Sequence, residues 1–357
     1  MRTENYKDFR LNIHDKLSKR TPLVGQFELT HRCNVRCRHC YIPHDSKVGE
    51  ITSAQWYRIF DEVHEQGCLW VCLTGGEPLI RKDFQDIYAY AYKKGFFIVL
   101  YTNGTLLDRE TAKYLSKSPP FYVGMTVNSV RKETYESINQ TPGSFQKAMA
   151  SIDLMREYDI PFKLRVNLMT LNIDELGEMR EFFEKIKAEY SLTTLIEPRI
   201  DGSTEPCSYR LPAKKVVELR EMDNTVKENE PEEAFTKKIA GYTKDADLGR
   251  GGDASFRCPG GQWQFYVNPS GKLFFCNMVR EPSWDILAGL FNAGFYEGFE
   301  EIKGREFRTD SDCRRCDLLP VCARCPGRAM LECGDPGSRI DYYCSLSSLQ
   351  TIGKIKK

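Results

Sequence analysis

The chain has 357 residues, enough for one large domain and a smaller one, and its 51 Lys and Arg against 50 Asp and Glu give a net charge of +1. This balance gives no reason to expect a nucleic-acid partner. No apolar run approaches the length that crosses a bilayer, and the charged N-terminus lacks the apolar core of a signal peptide. We therefore expect a cytoplasmic protein with no membrane partner.

An N-terminal extension, residues 1–23, precedes the first predicted strand, GQFELT. That strand leads into HRCNVRCRHCYIP, which carries Cys33, Cys37 and Cys40. Three thiolates at this spacing supply three irons of a four-iron cluster and leave the fourth iron without a protein ligand, whereas Fe–S electron carriers normally have one thiolate per iron. A zinc site completed by His31 or His39 is the alternative.

A second segment, Gly75-Gly76-Glu77-Pro78, follows the apolar run LWVCLT, so a buried strand leads into a glycine turn with one carboxylate. Glycines let a backbone approach a ligand closely. Taken alone, a Gly-Gly pair after a strand is most often only a turn.

The two segments together resemble the radical S-adenosylmethionine (SAM) superfamily, in which an aromatic residue usually precedes the third cysteine; His39 takes that place here. The resemblance implies a four-iron cluster on the three cysteines, whose open iron binds the amino and carboxylate groups of SAM. It also implies that the Gly-Gly-Glu-Pro segment receives the methionyl ammonium group. One-electron reduction would then cleave SAM to a 5′-deoxyadenosyl radical, chemistry that the cofactor carries and the protein orients.

Between residues 24 and 226, short apolar runs alternate with amphipathic stretches, which predicts a parallel sheet covered by helices. The predicted strands are GQFELT, LWVCLT, FFIVLYT, FYVGMTV, FKLRVNLM and TTLIEPRI. The helical patterns begin near Ser53, Phe84, Arg109, Lys132, Ile173 and Pro212. Right-handed crossovers would curl these units into an open barrel, and the resemblance implies the same α/β fold, a partial six-unit barrel with its ligands at the carboxyl ends of the strands.

Polar residues at these strand ends are candidates for the cofactor site. The resemblance places Thr126 in contact with SAM and Asn103 near it. Arg165 in the fifth strand could pair with the methionyl carboxylate through a bidentate fork, or form a salt bridge within the barrel. Ile196 is a candidate neighbour of the adenine.

Residues 227–253 are polar and charged and predict a bridge between domains. Residues 254–345 then form a cysteine-rich domain, and residues 346–357 a solvated tail. The chain has fourteen cysteines. Because it is long and has no signal peptide, we interpret them as reduced and metal-bound rather than as disulfides.

Seven C-terminal cysteines follow an order that resembles the SPASM domain of radical SAM enzymes that modify peptides. The resemblance implies two auxiliary four-iron clusters, and hence three [4Fe-4S] clusters in all. The first would bind Cys258, Cys276 and Cys325, and the second Cys313, Cys316, Cys322 and Cys344. A zinc ribbon built from the two CxxC pairs is the alternative. The segment QWQFYVNPSGKLFFC predicts a hairpin that turns at NPSG, with Cys276 after its second strand.

The first auxiliary cluster is one thiolate short, so either one iron is open to substrate or Cys333 or Cys207 fills the position. Cys207 could instead be an ordinary loop residue or a reactive thiol. We expect Cys68 and Cys72 to pack in the core.

The resemblance implies an enzyme that abstracts hydrogen from a ribosomally made peptide or protein, which is then cross-linked, oxidised or epimerised. A radical SAM oxidase or decarboxylase of a small molecule, in cofactor or tetrapyrrole synthesis, is the second hypothesis. Sulfatase maturases carry an Asp directly after the cysteine that matches Cys276, whereas this chain has Asn277, and a carboxamide cannot act as a general base. A non-enzymatic electron carrier needs neither the barrel nor the Gly-Gly-Glu-Pro turn.

The expected partners are a precursor peptide or protein substrate and a one-electron reductant such as flavodoxin or ferredoxin. Too few residues precede the first strand for a fused winged-helix domain that binds a leader peptide. A separate leader-binding protein would take that role, or a basic patch that we interpret as solvated charge. The patch consists of Lys303, Arg305, Arg308, Arg314 and Arg315.

Overall fold

In the residues that the computed structural model describes, 20–222, 226–227, 254–256, 260–319, 322 and 324–355, ten strands form one sheet. Residues 1–19, Cys258 and almost all of the expected bridge lie outside these ranges. Six strands in chain order pair in parallel and form the centre of the sheet: β1 (Val24–Thr30), β2 (Trp70–Gly75), β3 (Phe97–Thr102), β4 (Tyr122–Thr126), β5 (Phe162–Asn167) and β6 (Glu189–Thr193). The predicted α/β fold with a parallel sheet is confirmed.

Helices follow each of these strands, as the alternating pattern predicts. They are α1 (Ser53–Glu65), α2 (Phe84–Lys93), α3 (Arg109–Lys117), α4 (Lys132–Asn139), α5 (Ser144–Glu157), α6 (Leu176–Lys185) and α7 (Ala213–Met222). Local sequence fixes where some of them begin: Thr52 and Gln55 form a capping box at α1, and the Asp108 side chain caps α3. The pair α4 and α5 fills the connection between β4 and β5, for which a single helix was predicted.

The sixth strand lies earlier than predicted. We expected it at TTLIEPRI, residues 193–200, but β6 ends at Thr193. Its neighbour β5 ends at Asn167, which is paired with Thr193, so no partner strand remains beyond that point. Pro198 also lacks an N–H for a ladder bond. Residues 194–200 instead pass over the carboxyl end of the sheet.

The C-terminal region adds strands to the same sheet. The predicted hairpin is present as β8 (Gln264–Val267) and β9 (Lys272–Phe274), and β8 pairs in parallel with β1. The short β10 (Trp284–Asp285) pairs with β9 in antiparallel fashion and forms this edge of the sheet. At the opposite edge, the short β7 (Val226–Lys227) pairs with β6. The hairpin turns at Gly271, whose φ of +79° suits glycine.

In its described residues, the C-terminal region has three α-helices: α8 (Phe299–Lys303), α9 (Pro326–Cys333) and α10 (Asp341–Ile355). The expected tail from residue 346 therefore lies in α10 as far as Ile355. The domain boundaries drawn from the sequence remain proposals.

One main apolar core joins the sheet to its helices and continues into the C-terminal region, from Phe27 of β1 through Phe265 of β8 to Phe299 of α8. Cys68 and Cys72 are 2% and 1% exposed, so both pack in the interior.

Candidate active site

The three-cysteine loop leaves the carboxyl end of β1 and is held against the end of α4. The N–H groups of Arg36 and Arg38 donate to the carbonyls of Asn139 and Ile138, at 2.9 and 3.0 Å. The Cys37 thiol lies 3.2 Å from Oδ1 of Asn139. These bonds fix the middle of the loop over the opening of the barrel.

Burial makes the three thiols hard to ionise by themselves. Burial raises the pKa of Cys40 to about 11 and raises the pKa of Cys33 and, more strongly, of Cys37, where the charges of Cys40 and Cys33 add to the effect. Metal ligation requires thiolates. A cationic group bound between the three sulfur atoms would offset the cost of burying their negative charges.

The residues present fit a cluster better than a single metal ion. All three cysteines line one cavity, and none of the described cysteines is in a disulfide. Within the described ranges, no three His, Cys, Asp or Glu side chains are grouped so that they could hold one metal ion, as a zinc site requires. A four-iron cluster places its sulfur ligands on separate irons. Moreover, both ring nitrogens of His31 already have partners, Ser46 and Glu28, at 2.6 and 3.0 Å.

The Gly75-Gly76 turn packs against the loop that carries the cysteines. A Cβ on Gly75 would lie 2.2 Å from the carbonyl oxygen of Thr30, and one on Gly76 would lie 2.3 Å from that of Arg32. The N–H groups of Gly76 and Glu77 donate to the same two carbonyls, at 2.8 and 2.9 Å. These glycines therefore allow close approach to the end of β1, and they place the turn beside Cys33.

The Glu77 side chain points into the protein rather than into the cavity. Its carboxylate accepts from the Thr102 hydroxyl and from the N–H groups of Asn103 and Leu79, at 2.8, 2.8 and 3.1 Å. Burial raises the pKa of Glu77 to about 7. Pro78 is buried at the start of a short 3-10 helix, and neither residue lines the cavity. Of the four predicted turn residues, only the two glycines do.

The cavity encloses about 370 Å³ at the carboxyl ends of the parallel strands. The other four predicted cofactor contacts line it: Asn103, Thr126, Arg165 and Ile196. The Arg165 guanidinium lies over the Tyr101 ring, 4.1 Å from its centroid. The Asn103 amide donates to Oδ1 of Asn34 at 3.1 Å, so Asn103 also supports the cysteine loop.

His39 is a cavity residue whose surroundings the sequence did not reveal. Oδ1 of Asn128 accepts from the N–H of Asn167 at 2.8 Å, so the NH₂ of Asn128 faces Nε2 of His39 at 3.3 Å. Nε2 is therefore the acceptor, which assigns the ring proton to Nδ1. Nδ1 is buried without a partner in the described part of the chain. Burial lowers the pKa of His39 to about 4.

The C-terminal cysteines divide between two places. Four of them line one small apolar cavity of about 40 Å³: Cys313, Cys316, Cys322 and Cys344. They are the same four that the sequence assigned to the second auxiliary cluster. The Ser347 hydroxyl lies 3.3 Å from the sulfur of Cys322.

Cys276 and Cys325, assigned to the first auxiliary cluster, belong to two segments that pack together, since a Cβ on Gly327 would lie 2.6 Å from the Cβ of Met278. Their third partner, Cys258, lies outside the described residues. Of the two alternatives for a fourth ligand, Cys333 is exposed, and its thiol lies 3.6 Å from the Arg339 carbonyl.

Cys207, the other alternative, lies in the 3-10 helix Glu205–Tyr209 and does not line the cavity. Burial raises the pKa of its thiol to about 11. Nearby, Arg328 of α9 forms an ion pair with Glu197, which lines the cavity. In the basic patch, Arg308 pairs with Asp310, and Lys303 donates to Gln262 at 3.1 Å.

A second, polar recess of about 340 Å³ adjoins the mouth of the cavity and shares Arg36, Pro43 and His44 with it. The rest of its lining is mostly charged, with both signs present: Asp45, Gln140, Arg199, Asp201 and Glu205. Across the described residues, no helix is both long enough and apolar enough to span a bilayer.

Comparisons with known proteins agree with this geometry. A model of the Radical SAM superfamily matches residues 27–183. The chain is 28% identical to an AdoMet-dependent heme synthase of Methanosarcina barkeri, over 88% of this chain and 94% of that protein. It is 27% identical to a PqqA peptide cyclase of Granulibacter bethesdensis, over 90% of this chain and 86% of that protein. Its fold is similar to that of Streptococcus suis SuiB, solved with the precursor peptide SuiA, with a TM-score of 0.69, 15% identity, and coverage of 96% and 82% of the two chains.

Proposed function

Because residues 27–183 form a radical SAM domain, we propose that the protein uses SAM to start hydrogen abstraction from a ribosomally made peptide or protein. The abstraction leads to a cross-link, an oxidation or an epimerisation. One full-length relative is named as a peptide cyclase, and the match covers most of both chains. The similarity to this cyclase supports the proposal that the substrate is a peptide.

Cys33, Cys37 and Cys40 would hold the SAM-binding cluster, because their thiols line one cavity at the end of β1. SAM bound at such a cluster supplies a 5′-deoxyadenosyl radical after one-electron reduction. The protein's part is to orient the cofactor and to keep water away from the radical. An external flavodoxin or ferredoxin would supply the electron, in a reducing cytoplasm.

Gly75, Gly76, Asn103, Thr126, Arg165 and Ile196 would form the SAM pocket, since all six line this cavity. The Arg165 guanidinium lies over the Tyr101 ring, and its planar fork suits the methionyl carboxylate. Glu77 would act indirectly, because it ties the turn after β2 to the loop after β3.

Two auxiliary clusters would occupy the C-terminal region. The four thiols around the small cavity would hold one of them, and Cys258, Cys276 and Cys325 the other. A cluster on three protein thiolates would leave an iron for a substrate thiolate, for Cys333 or for Cys207.

The observation that carries the choice of a peptide substrate is the charged recess at the mouth. The cavity that the three cysteines line has a volume in the range of small-ligand sites, and the charged recess adjoins its mouth, so a substrate that enters there would pass this recess. Arg199 and Glu205 form an ion pair in this recess, and Arg36 and Asp201 also line it, so the lining offers charges of both signs to an extended polar chain. A flat tetrapyrrole would instead favour an apolar slot.

The test begins with anaerobic reconstitution of the clusters, followed by dithionite and SAM. We expect 5′-deoxyadenosine from the wild-type protein and none from the Cys33→Ala, Cys37→Ala or Cys40→Ala variants. Short peptides encoded beside the gene would then be incubated with the enzyme, and mass spectrometry would follow the loss of hydrogen or the formation of a cross-link. Deoxyadenosine production that persists in the cysteine variants would refute the assignment of the loop.

A tetrapyrrole substrate is the second candidate, because a relative aligned over nearly its full length is named as a heme synthase. Under the same conditions, an iron porphyrin with carboxylate side chains would replace the peptide, and the readout would be a loss of mass from the porphyrin. Turnover of the porphyrin with no change in any peptide would show that the substrate is a tetrapyrrole and would refute the peptide proposal.

A further inference from the structure

One buried carboxylate, Glu28, holds both ends of the three-cysteine loop. Glu28 lies in β1 and is 1% exposed. Its Oε2 lies 3.0 Å from Nε2 of His31, just before Cys33, and its Oε1 accepts from the Tyr41 hydroxyl, just after Cys40, at 2.9 Å. Tyr41 is fixed again through its carbonyl, which accepts from the N–H of Ile200 at 2.9 Å.

The charge of Glu28 is balanced from the C-terminal region. The Arg280 guanidinium donates to both carboxylate oxygens, at 3.0 and 2.8 Å, in a bidentate pair. The Nε of Arg280 donates to the carbonyl of Asn277 at 2.9 Å, so the same side chain also closes the loop that brings Asn277 to the cavity. The four hydrogen-bonding groups around Glu28 leave neither of its oxygens unpaired.

We infer that Arg280 is a positioning residue, through which the cysteine-rich C-terminal region sets the geometry of the three-cysteine loop. Without Arg280, the Glu28 carboxylate would remain buried with no cation to balance it, and it would seek water or move away from His31 and Tyr41. The inference rests on the proposed function only in taking this loop as the cluster site.

The test compares Arg280→Gln with Arg210→Gln as a matched control. Arg210 forms a second bidentate pair between the barrel and the C-terminal region, with Glu332 of α9, and the two side chains are 7% and 10% exposed. Hydrogen exchange of the metal-free, reduced full-length protein is followed by mass spectrometry. Arg280→Gln should speed exchange in residues 31–46 about tenfold or more, because loss of one partner from a buried pair changes an opening equilibrium by more than one power of ten.

Two further variants separate positioning from general stability. Glu28→Gln/Arg280→Gln removes both charges and should recover part of the protection in residues 31–46 that Arg280→Gln loses. Arg280→Lys keeps the charge without the bidentate geometry and should fall between the wild type and Arg280→Gln. In reconstituted protein, the change that SAM causes in the electron paramagnetic resonance spectrum of the reduced cluster should be weakened in Arg280→Gln and retained in Arg210→Gln.

Equal exchange in residues 31–46 for Arg280→Gln and Arg210→Gln would overturn the inference, as would a double variant no better protected than Arg280→Gln. The exchange measurement uses no metal and no substrate. A protein that fails to cleave SAM but shows the expected exchange would refute the proposed function and leave the positioning role of Arg280 standing.

Discussion

At the scale of single residues, the buried carboxyl of Glu77 makes the stability of the fold depend on pH. Burial raises its pKa in the folded protein to about 7 from an ordinary value of 4.5. A carboxyl with a raised pKa stabilises the fold only while protonated, so its contribution is complete below about pH 4.5 and is lost as the pH rises to about 7. The loss amounts to about 3 kcal/mol. Urea unfolding of the metal-free protein between pH 4.5 and 8 should show it.

The Glu77→Gln variant is the control for this dependence. Gln cannot ionise, but its NH₂ group would face at least one of the N–H and O–H donors that now point at the carboxylate. We therefore expect a cost of about 1–3 kcal/mol that does not change with pH. A gap in unfolding free energy between wild type and variant that is the same at pH 5 and pH 8 would contradict the prediction.

The ring of His39 provides the second prediction at this scale. Because the amide of Asn128 donates to Nε2, the neutral ring should carry its proton on Nδ1. Two-bond ¹⁵N–¹H spectra of the reduced, metal-free protein should show this single tautomer and no titration between pH 5.5 and 8, since burial lowers the pKa of His39 to about 4. In Asn128→Ala/Asn167→Ala, which removes both amide groups that face Nε2, the tautomers should mix. A wild-type ring protonated on Nε2 would be incompatible with the hydrogen bonds described here.

At the scale of elements, the glycine turn after β2 and the cysteine loop after β1 form one unit. A Cβ on residue 76 would lie 2.3 Å from the Arg32 carbonyl oxygen, which is backbone and cannot rotate away. Gly76→Ala should therefore destabilise the protein by about 1–3 kcal/mol and lower the iron bound at the loop. Gly49→Ala, where a Cβ meets no atom within 4 Å, should leave both unchanged. Equal unfolding midpoints and iron contents for the two variants would show that the turn does not hold the loop.

Sequence patterns predicted five of the six central strands because β1 to β4 have runs of buried, mostly apolar residues, and β5 alternates buried Leu164 and Val166 with partly exposed residues. The sixth was misplaced because residues 193–200 have a strand-like composition, while the end of β5 at Asn167, which no local pattern reveals, decides where β6 stops. The cysteine groups were readable because ligand spacing is encoded in the chain. The contacts between Glu28 and Arg280 and between His39 and Asn128 could not be predicted in this way. Each joins residues that are far apart in sequence and that meet only in the folded interior.

At the scale of the whole molecule, the C-terminal region belongs to the same sheet as residues 27–183, which match the Radical SAM superfamily model. β8 pairs with β1, and Arg280 reaches Glu28 in that same strand. A second contact, between Arg210 and Glu332, ties the loop before α7 to α9. The C-terminal region therefore contacts β1, the strand that leads into the three-cysteine loop, both through its backbone and through a side chain. Backbone pairing and side-chain contacts together set the position of the cysteine-rich region relative to the cavity.

The separation of the cysteine groups leads to a prediction for the iron content of the whole protein. Anaerobic reconstitution should give about twelve iron atoms per chain, four for each of three clusters. Cys313 and Cys316 line the small C-terminal cavity, whereas Cys33, Cys37 and Cys40 line the large one. Cys313→Ala/Cys316→Ala should therefore lower the content to about eight, and the loop variant lacking its three thiols should reach a similar value by losing a different cluster.

Mössbauer or resonance Raman spectra should identify which cluster each variant has lost. SAM should still perturb the spectrum of Cys313→Ala/Cys316→Ala, because its three-cysteine loop is intact, and should leave that of the loop variant unchanged. A wild-type protein that saturates at about four iron atoms would rule out the auxiliary clusters. Loss of all iron on replacing either group would show that the two sites are not independent. In that case, loss of one cluster would destabilise the other site through the sheet that they share.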